Sequence, residues 1–236
     1  MNPGLEGLHK ENNMNKNIIR RIFQVWFTLI IQGVILFIAA WTIYWLWAWI
    51  FLFLSVAMLM INLMVIPAEL IEERGKKKED VKKWDKIITS LNIIPTLCIF
   101  LFSGLDYRFH WTQELSILFN VSGLILLFLG SMLFTWAMIS NKFFSTMVRL
   151  QTDRNHRVAT SGPYKFVRHP GYVGYIIMFF AIPLALGSLW TLSFSVIITI
   201  LFIIRTYLED KTLKKELKGY TEYSELVKHK LIPFIW

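Results

Sequence analysis

The sequence predicts an all-α, polytopic membrane protein with about six transmembrane helices. Three observations carry that prediction. Hydrophobic residues fill 55% of the 236 positions and charged residues only 17%, at a mean hydropathy of +0.49; soluble domains carry about a quarter charged residues. The apolar residues fall into six stretches long enough, or nearly so, to cross a hydrocarbon core of about 30 Å. Finally, 24 of the 25 Lys and Arg residues lie in four segments that share one side of a six-span membrane protein, leaving Arg108 alone on the other. That asymmetry predicts both termini in the cytoplasm.

Residues 1–21 read as a polar, Asn-rich cytoplasmic tail. No small-residue cleavage site follows it, so no removable signal peptide is expected and the first span directs insertion. Residues 22–139 hold four spans, at 22–40, 46–66, 87–105 and 115–139. The turn "WTIYWLWAW" after the first is rich in Trp and Tyr, as a membrane interface is. The run "ERGKKKEDVKKWDK" after the second reads as a solvated cytoplasmic turn near anionic headgroups. Spans five and six, at 171–187 and 189–208, have almost no loop between them and form a hairpin, with a kink expected at Pro183.

Several function classes drop out. The net charge of +9 follows topology and not a groove-binding motif, so no nucleic-acid partner is expected. Cys98, alone in an apolar run, serves packing; it allows no intrachain disulfide and no thiolate cluster. The five histidines are scattered, without metal-ligand spacing, and no Gly-rich phosphate loop or dinucleotide fingerprint occurs.

The polar chemistry collects in residues 140–236, at the open end of the hairpin. There "GPYKFVRHPGYVG" brings Tyr164, Arg168, His169 and Tyr172 to the edge of the fifth span. With Pro170 at the first helical position, His169 sits at the cap, beside free N–H groups and the positive helix end. An anion suits that position, and Arg168 adds a planar donor fork. The bland reading is an interfacial Arg-His anchor. In "RTYLEDKTLKKEL", Arg205 and Glu209 lie four apart on one helix face. A simple ion pair is the bland reading, although Arg before Glu is the weaker orientation. As site residues, Arg205 suits a carboxylate, and Glu209 suits a cation, an amine or a ribose hydroxyl pair. The tyrosines suit packing, or cation–π contact with a cationic cofactor.

Three ordered segments, "NKFFSTMVRLQ", "HRVATSGPYKFVRHPGYVGY" and "RTYLEDKTLKKELKGYTEYSELVKHKLIP", resemble the isoprenylcysteine carboxyl methyltransferase family over residues 141–233. The resemblance implies an integral membrane methyltransferase that uses S-adenosylmethionine. It implies a cofactor pocket built from Gln151, His156, Arg157, Val158, Ala159, Tyr164, His169, Pro170, Gly171, Tyr172 and Glu209. Arg205 is implied at the substrate carboxylate, and His169, Arg205 and Glu209 as the catalytic set, without a metal. The implied acceptor is lipid-like or prenylated, reached from the membrane and met by a cofactor from the cytoplasm. Two alternatives stay open: a phospholipid or amine N-methyltransferase, and a sterol-reductase-like enzyme using NADPH.

Overall fold

The computed structural model describes residues 3–78, 80–113, 115–233 and 235–236, with side chains from residue 12 onward. Nine α-helices are seen among them: α1 Pro3–Ala40, α2 Leu46–Val65, α3 Ala68–Gly75, α4 Lys83–Leu91, α5 Ile93–Phe109, α6 Ile117–Ile139, α7 Pro170–Leu186, α8 Leu192–Glu216 and α9 Tyr220–Leu226. No strand occurs among the described residues. Five segments are long and apolar enough to cross a membrane: Asn12–Ala40, Leu46–Val65, Lys83–Phe109, Ile117–Ile139 and Leu192–Glu216. They fit a multi-pass membrane protein. The sixth, α7, has 17 residues and is therefore only about 25 Å long at 1.5 Å per residue.

The helices depart from expectation at two places. First, α1 continues back through the region read as a tail, and its turn at Asn17–Arg21 packs on α3. A Cβ on Gly75 of α3 would fall 2.0 Å from the Asn17 carbonyl oxygen of α1. Second, the third span is broken at Asn92, between α4 and α5, three residues before Pro95. Proline has no N–H to give the preceding turn and crowds its carbonyl, which favours a break there. At Pro183 the helix α7 runs on and ends at Gly187, whose φ of +74° is left-handed. The carbonyl of Phe179, four residues before Pro183, instead accepts the Ser195 hydroxyl of α8 at 2.6 Å. The neighbouring helix thus satisfies the group that proline leaves free.

The bundle closes around an apolar cluster that includes Leu36 of α1, Phe51 of α2, Phe100 of α5, Leu127 of α6, Ile182 of α7 and Ile198 of α8. Without a hydrophobic effect between helices in lipid, close packing must hold them. α7 and α8 are adjacent, as a hairpin requires, but the closest backbone approach of α7 is to α6. A Cβ on Gly123 would fall 2.2 Å from the Ala185 nitrogen, and one on Gly174 would fall 2.7 Å from the Gly130 carbonyl oxygen. Asn120 locks the far end, donating to the Ala185 carbonyl at 3.1 Å. Buried Asp106 ties α5 to the turn after α7, accepting from the Thr112 backbone at 2.6 Å and from the Ser188 hydroxyl. This packing holds the start of α7, where the polar stretch lies, against the end of α6.

Gly174→Ala puts a methyl into the Gly130 backbone, and overpacking of this kind costs about 1–3 kcal/mol. Gly33→Ala meets only the Leu52 side chain, at 3.3 Å, and gains helix propensity. The thermal midpoint in detergent is expected to fall for the first and to hold or rise for the second.

Candidate active site

Three segments meet where α7 and α8 leave the apolar bundle: the loop 140–169, the charged end of α8, and the C-terminal segment with α9. The loop is held from both ends. Gly162 turns back beneath the end of α6 with φ of +57°, and a Cβ there would fall 2.2 Å from the Ser140 hydroxyl oxygen, so only glycine fits. Further along, the Arg168 and His169 amides donate to the His229 and Lys230 carbonyls at 2.9 and 3.0 Å. That strip pins the entrance of α7 to the C-terminal segment.

Side-chain pairing on α8 sorts its charged groups. Arg205 is buried and donates from Nε to Asp85 Oδ1 at 2.7 Å and from Nη2 to Asp85 Oδ2 at 3.2 Å. A further bond from Nη2 reaches the Thr146 carbonyl at 3.2 Å. Asp210 is equally occupied, by Arg168 Nε at 2.7 Å and Nη2 at 3.2 Å, and by the Tyr220 hydroxyl at 3.0 Å. Arg168 spends its remaining donors on the Ser224, Val227 and Lys228 carbonyls. Arg168 therefore does not offer the free donor fork expected of it; it is a strut between α8 and the end of α9. The bland reading of Arg205 with Glu209 also gives way: Arg205 pairs with α4 and leaves Glu209 to face the cavity.

Glu209 accepts the Tyr172 hydroxyl on Oε2, and His169 Nδ1 lies 4.0 Å from the same oxygen. The His169 and Tyr172 rings stack at 5.6 Å. The Tyr220 hydroxyl and His169 Nε2 are 3.4 Å apart. His169 caps α7 as expected: its carbonyl accepts the Val173 amide at 3.3 Å, the ordinary first helical bond, and also takes the otherwise free Tyr172 amide at 3.0 Å. The helix end therefore offers fewer free donors than an open N-terminus.

A cavity opens between these groups. Of the residues implied by the resemblance, His156, Arg157, Val158, Ala159, Tyr164, His169, Gly171, Tyr172, Arg205 and Glu209 line it. Gln151 and Pro170 do not. Gln151 is fully buried and its amide is spent on the loop, donating to the Phe143 carbonyl at 2.6 Å and accepting from Arg154 Nη1 at 2.7 Å. Pro170 is buried at the start of α7, with no N–H to give. Burial first, then the nearby Arg149 and Arg154, pulls His156 down to about 4, so its imidazole is neutral at physiological pH. Burial raises the Tyr164 hydroxyl, which accepts from Asn141 Nδ2 at 3.3 Å.

Asp85 is the residue sequence reasoning missed. It lies in the charge run read as a solvated turn, yet it is completely buried, holds Arg205, and accepts the Val148 amide at 2.7 Å. Glu73 in the same run is also buried and accepts from Arg149 at 2.8 Å. A signal was present: Val81, Asp85 and Ile88 are spaced four and three apart, which puts Asp85 on an apolar helix face.

Residues 118–218 match the family model described as phospholipid methyltransferase. That range holds the loop, the His169-Pro170 turn, Arg205 and Glu209. Over 116 residues the chain is 28% identical to the probable protein-S-isoprenylcysteine O-methyltransferase of Oryza sativa subsp. indica, covering 48% of this chain and 60% of that protein. It is 28% identical over 116 residues to protein-S-isoprenylcysteine O-methyltransferase B of Arabidopsis thaliana, covering 58% of that protein. It is 31% identical over 134 residues to the protein-S-isoprenylcysteine O-methyltransferase of Schizosaccharomyces pombe, covering 56% of this chain and 51% of the relative. Over about half its length the chain is thus similar to these protein-S-isoprenylcysteine O-methyltransferases. The chain spans between about half and 60% of the length of these relatives. The range matched by the family model holds most of the residues that line the cavity.

Two outcomes check this site. Asp85→Ala strands a buried guanidinium and is expected to cost about 3–5 kcal/mol. Asp85→Ala with Arg205→Met should recover part of that loss, measured by thermal unfolding in detergent. For His156, the folded pKa lies below that of a free imidazole. Its contribution to stability is therefore full above about pH 6.5 and lost as the pH falls towards 4. His156→Phe should flatten the acid-side slope of the thermal midpoint across that window; an unchanged slope would place the titration elsewhere.

Proposed function

We propose that this chain is a membrane-embedded, S-adenosylmethionine-dependent methyltransferase that forms a methyl ester on the carboxylate of a lipid-like, isoprenylcysteine-type acceptor. The observation that carries the proposal is Glu209. Unlike its neighbour Asp210 it has no arginine partner among the described residues, it lies on the cavity wall, and only its Oε2 is hydrogen-bonded, to Tyr172. A partly buried carboxylate with a free oxygen suits a cationic or hydroxyl-rich ligand. Tyr172 and Tyr164 supply aromatic faces nearby, which favours a sulfonium cofactor further.

The residues present fit that cofactor. Glu209 and His169 would hold its polar groups, with Tyr164, Tyr172 and the 156–159 backbone around it. When bound, it supplies an activated methyl: a carboxylate oxygen forms a bond to that carbon as the carbon–sulfur bond breaks, and the electron pair leaves on sulfur. No proton moves. The protein's work is to hold nucleophile and methyl in line at about 3–3.5 Å and to exclude water. Tyr172 is fixed for this by Glu209 on its hydroxyl and by the Arg205 guanidinium 5.1 Å from its ring centroid. Arg205, already held by Asp85, acts as a positioning residue for the wall between cofactor and acceptor.

An amine acceptor, which the phospholipid methyltransferase family model brings into view, would have to lose a proton. The cavity behind Tyr172 and Arg205 is lined by two arginines and two tyrosines but, among the described residues, by no carboxylate or histidine to accept it. A carboxylate acceptor needs no such base. We further propose that residues 140–236 form the catalytic region, residues 22–139 the membrane part, and that both termini and the site face the cytoplasm. The supporting observation is the one-sided distribution of Lys and Arg.

Calorimetry on the purified protein in detergent tests the class. Saturable binding of S-adenosylhomocysteine without binding of NADPH is expected. Glu209→Gln should weaken it about 10-fold or more, the scale of a lost hydrogen bond to a charged group. Binding of NADPH alone would move the chain to the reductases.

A further inference from the structure

His169 has two ring nitrogens, and its neighbours decide which of them holds a hydrogen. Nε2 lies 3.4 Å from the Tyr220 hydroxyl oxygen and 3.7 Å from Asp210 Oδ1. The Tyr220 hydroxyl donates its single hydrogen to Asp210 Oδ1 at 3.0 Å. Burial, and then the Asp210 charge, pushes that hydroxyl above its ordinary value, so it keeps the hydrogen. A hydroxyl whose hydrogen is committed can only accept from a further neighbour. Both groups that face Nε2 are therefore acceptors, and Nε2 must carry a hydrogen to meet them.

The ring is not free to turn away. It is buried, and it stacks on Tyr172 with an interplanar angle of 6°. The partners behind it are fixed as well. Asp210 takes Arg168 in two bonds, at 2.7 and 3.2 Å. Tyr220 is buried edge-on to Tyr223, whose own hydroxyl donates to the Tyr164 carbonyl at 2.7 Å. A chain of contacts thus runs from Arg168 through Asp210 and Tyr220 to His169, joining the loop, α8 and α9.

With its hydrogen on Nε2, a neutral His169 has Nδ1 bare. Nδ1 lies 4.0 Å from Glu209 Oε2, and both residues line the cavity. That gap is too long for a hydrogen bond between them. Glu209 Oε2 accepts from Tyr172, and a carboxylate oxygen has a second lone pair to offer. Two acceptors this far apart are matched by one donor atom that carries at least two hydrogens. A nitrogen about 2.9 Å from each would see them at an angle of roughly 90°, within the spread of hydrogen-bond directions around an ammonium. A hydroxyl has one hydrogen and satisfies only one of the pair. The charge of Glu209 favours a cationic nitrogen over a neutral one.

We propose that Tyr220, anchored by Asp210, is a positioning residue: it holds the hydrogen of His169 on Nε2 and so presents Nδ1, together with Glu209 Oε2, as a paired seat for a primary ammonium. The identity of the ligand rests on the methyltransferase reading, in which the ammonium belongs to the amino-acid end of the cofactor; the tautomer of His169 does not.

The test uses the full-length protein in detergent with isotope-labelled histidine ring nitrogens, the His169 signals being identified by their loss in His169→Gln. Nitrogen NMR at neutral pH should show Nε2 protonated and Nδ1 bare, and S-adenosylhomocysteine should shift Nδ1. Calorimetry then compares S-adenosylhomocysteine with the analogue that lacks only its amino group. The wild type should prefer the first by about 10-fold or more, the scale of a hydrogen bond to a charged group. Tyr220→Phe keeps the ring and loses the hydroxyl. It should let the hydrogen of His169 populate both nitrogens and cut that preference by about fivefold, the scale of one hydrogen bond, with binding of the analogue held within about twofold. A hydrogen on Nδ1 in the wild type, as the other tautomer or as an imidazolium, overturns the proposal. Equal wild-type binding of the two ligands overturns it too, and neither result needs a variant that folds. Equal losses of both ligands in Tyr220→Phe mean a packing role and also overturn it. A bare Nδ1 in a protein that binds neither ligand keeps Tyr220 as the positioning residue and defeats the methyltransferase reading.

Discussion

The buried pair between Asp85 and Arg205 is the interaction on which the site depends. It joins α4 to α8 in two parallel bonds, and the second oxygen of Asp85 also takes the Val148 amide. Removing two charges from water is costly, and the cost is offset only where geometry is good and the remaining donors and acceptors are used. Here they are used across three segments at once: the helix before the break at Asn92, the 140–169 loop, and the last membrane helix. The loop cannot leave its place without stranding Asp85, and α8 cannot rotate without stranding Arg205.

A second buried pair repeats the device one turn away. Arg168 holds Asp210 and the carbonyls at the end of α9, fixing the C-terminal segment to the start of α7. Between the two pairs stands Glu209, on the cavity wall, bonded only by Tyr172. Of Arg205, Glu209 and Asp210 at the charged end of α8, two are consumed by structure and Glu209 is left facing the cavity. This division explains how a site rich in arginine and carboxylate avoids collapsing into ion pairs. Below it, the close approach of α6 and α7 at their glycines keeps the entrance of α7 in register.

The proposed chemistry asks little of acid–base groups and much of position. That agrees with a cavity whose imidazole at His156 is held neutral and whose nearest tyrosines are buried and bonded. In the proposed reaction a membrane-derived acceptor and a water-borne cofactor would meet across the wall formed by Tyr172, Arg205 and Phe144.

By itself the sequence determined the helical, membrane-spanning class, because apolar length and the placement of Lys and Arg act locally and do not depend on which helices touch. It also made much of the cavity wall legible, since Gly162–Gly174 and the four-residue spacing of Arg205 and Glu209 are local features whose faces follow from helix geometry. It did not reveal the partners. Asp85 lies 120 residues from Arg205 and inside a run that composition marks as solvated. Arg168 and Gln151, ligand-like in isolation, are consumed by contacts made only when loop and C-terminus fold together. The break at Asn92 and the approach of α6 to α7 likewise became visible only with the helices assembled. Which charges are left unpaired, Glu209 among them, was decided by tertiary structure alone, because pairing is a property of distances between segments that no local pattern encodes.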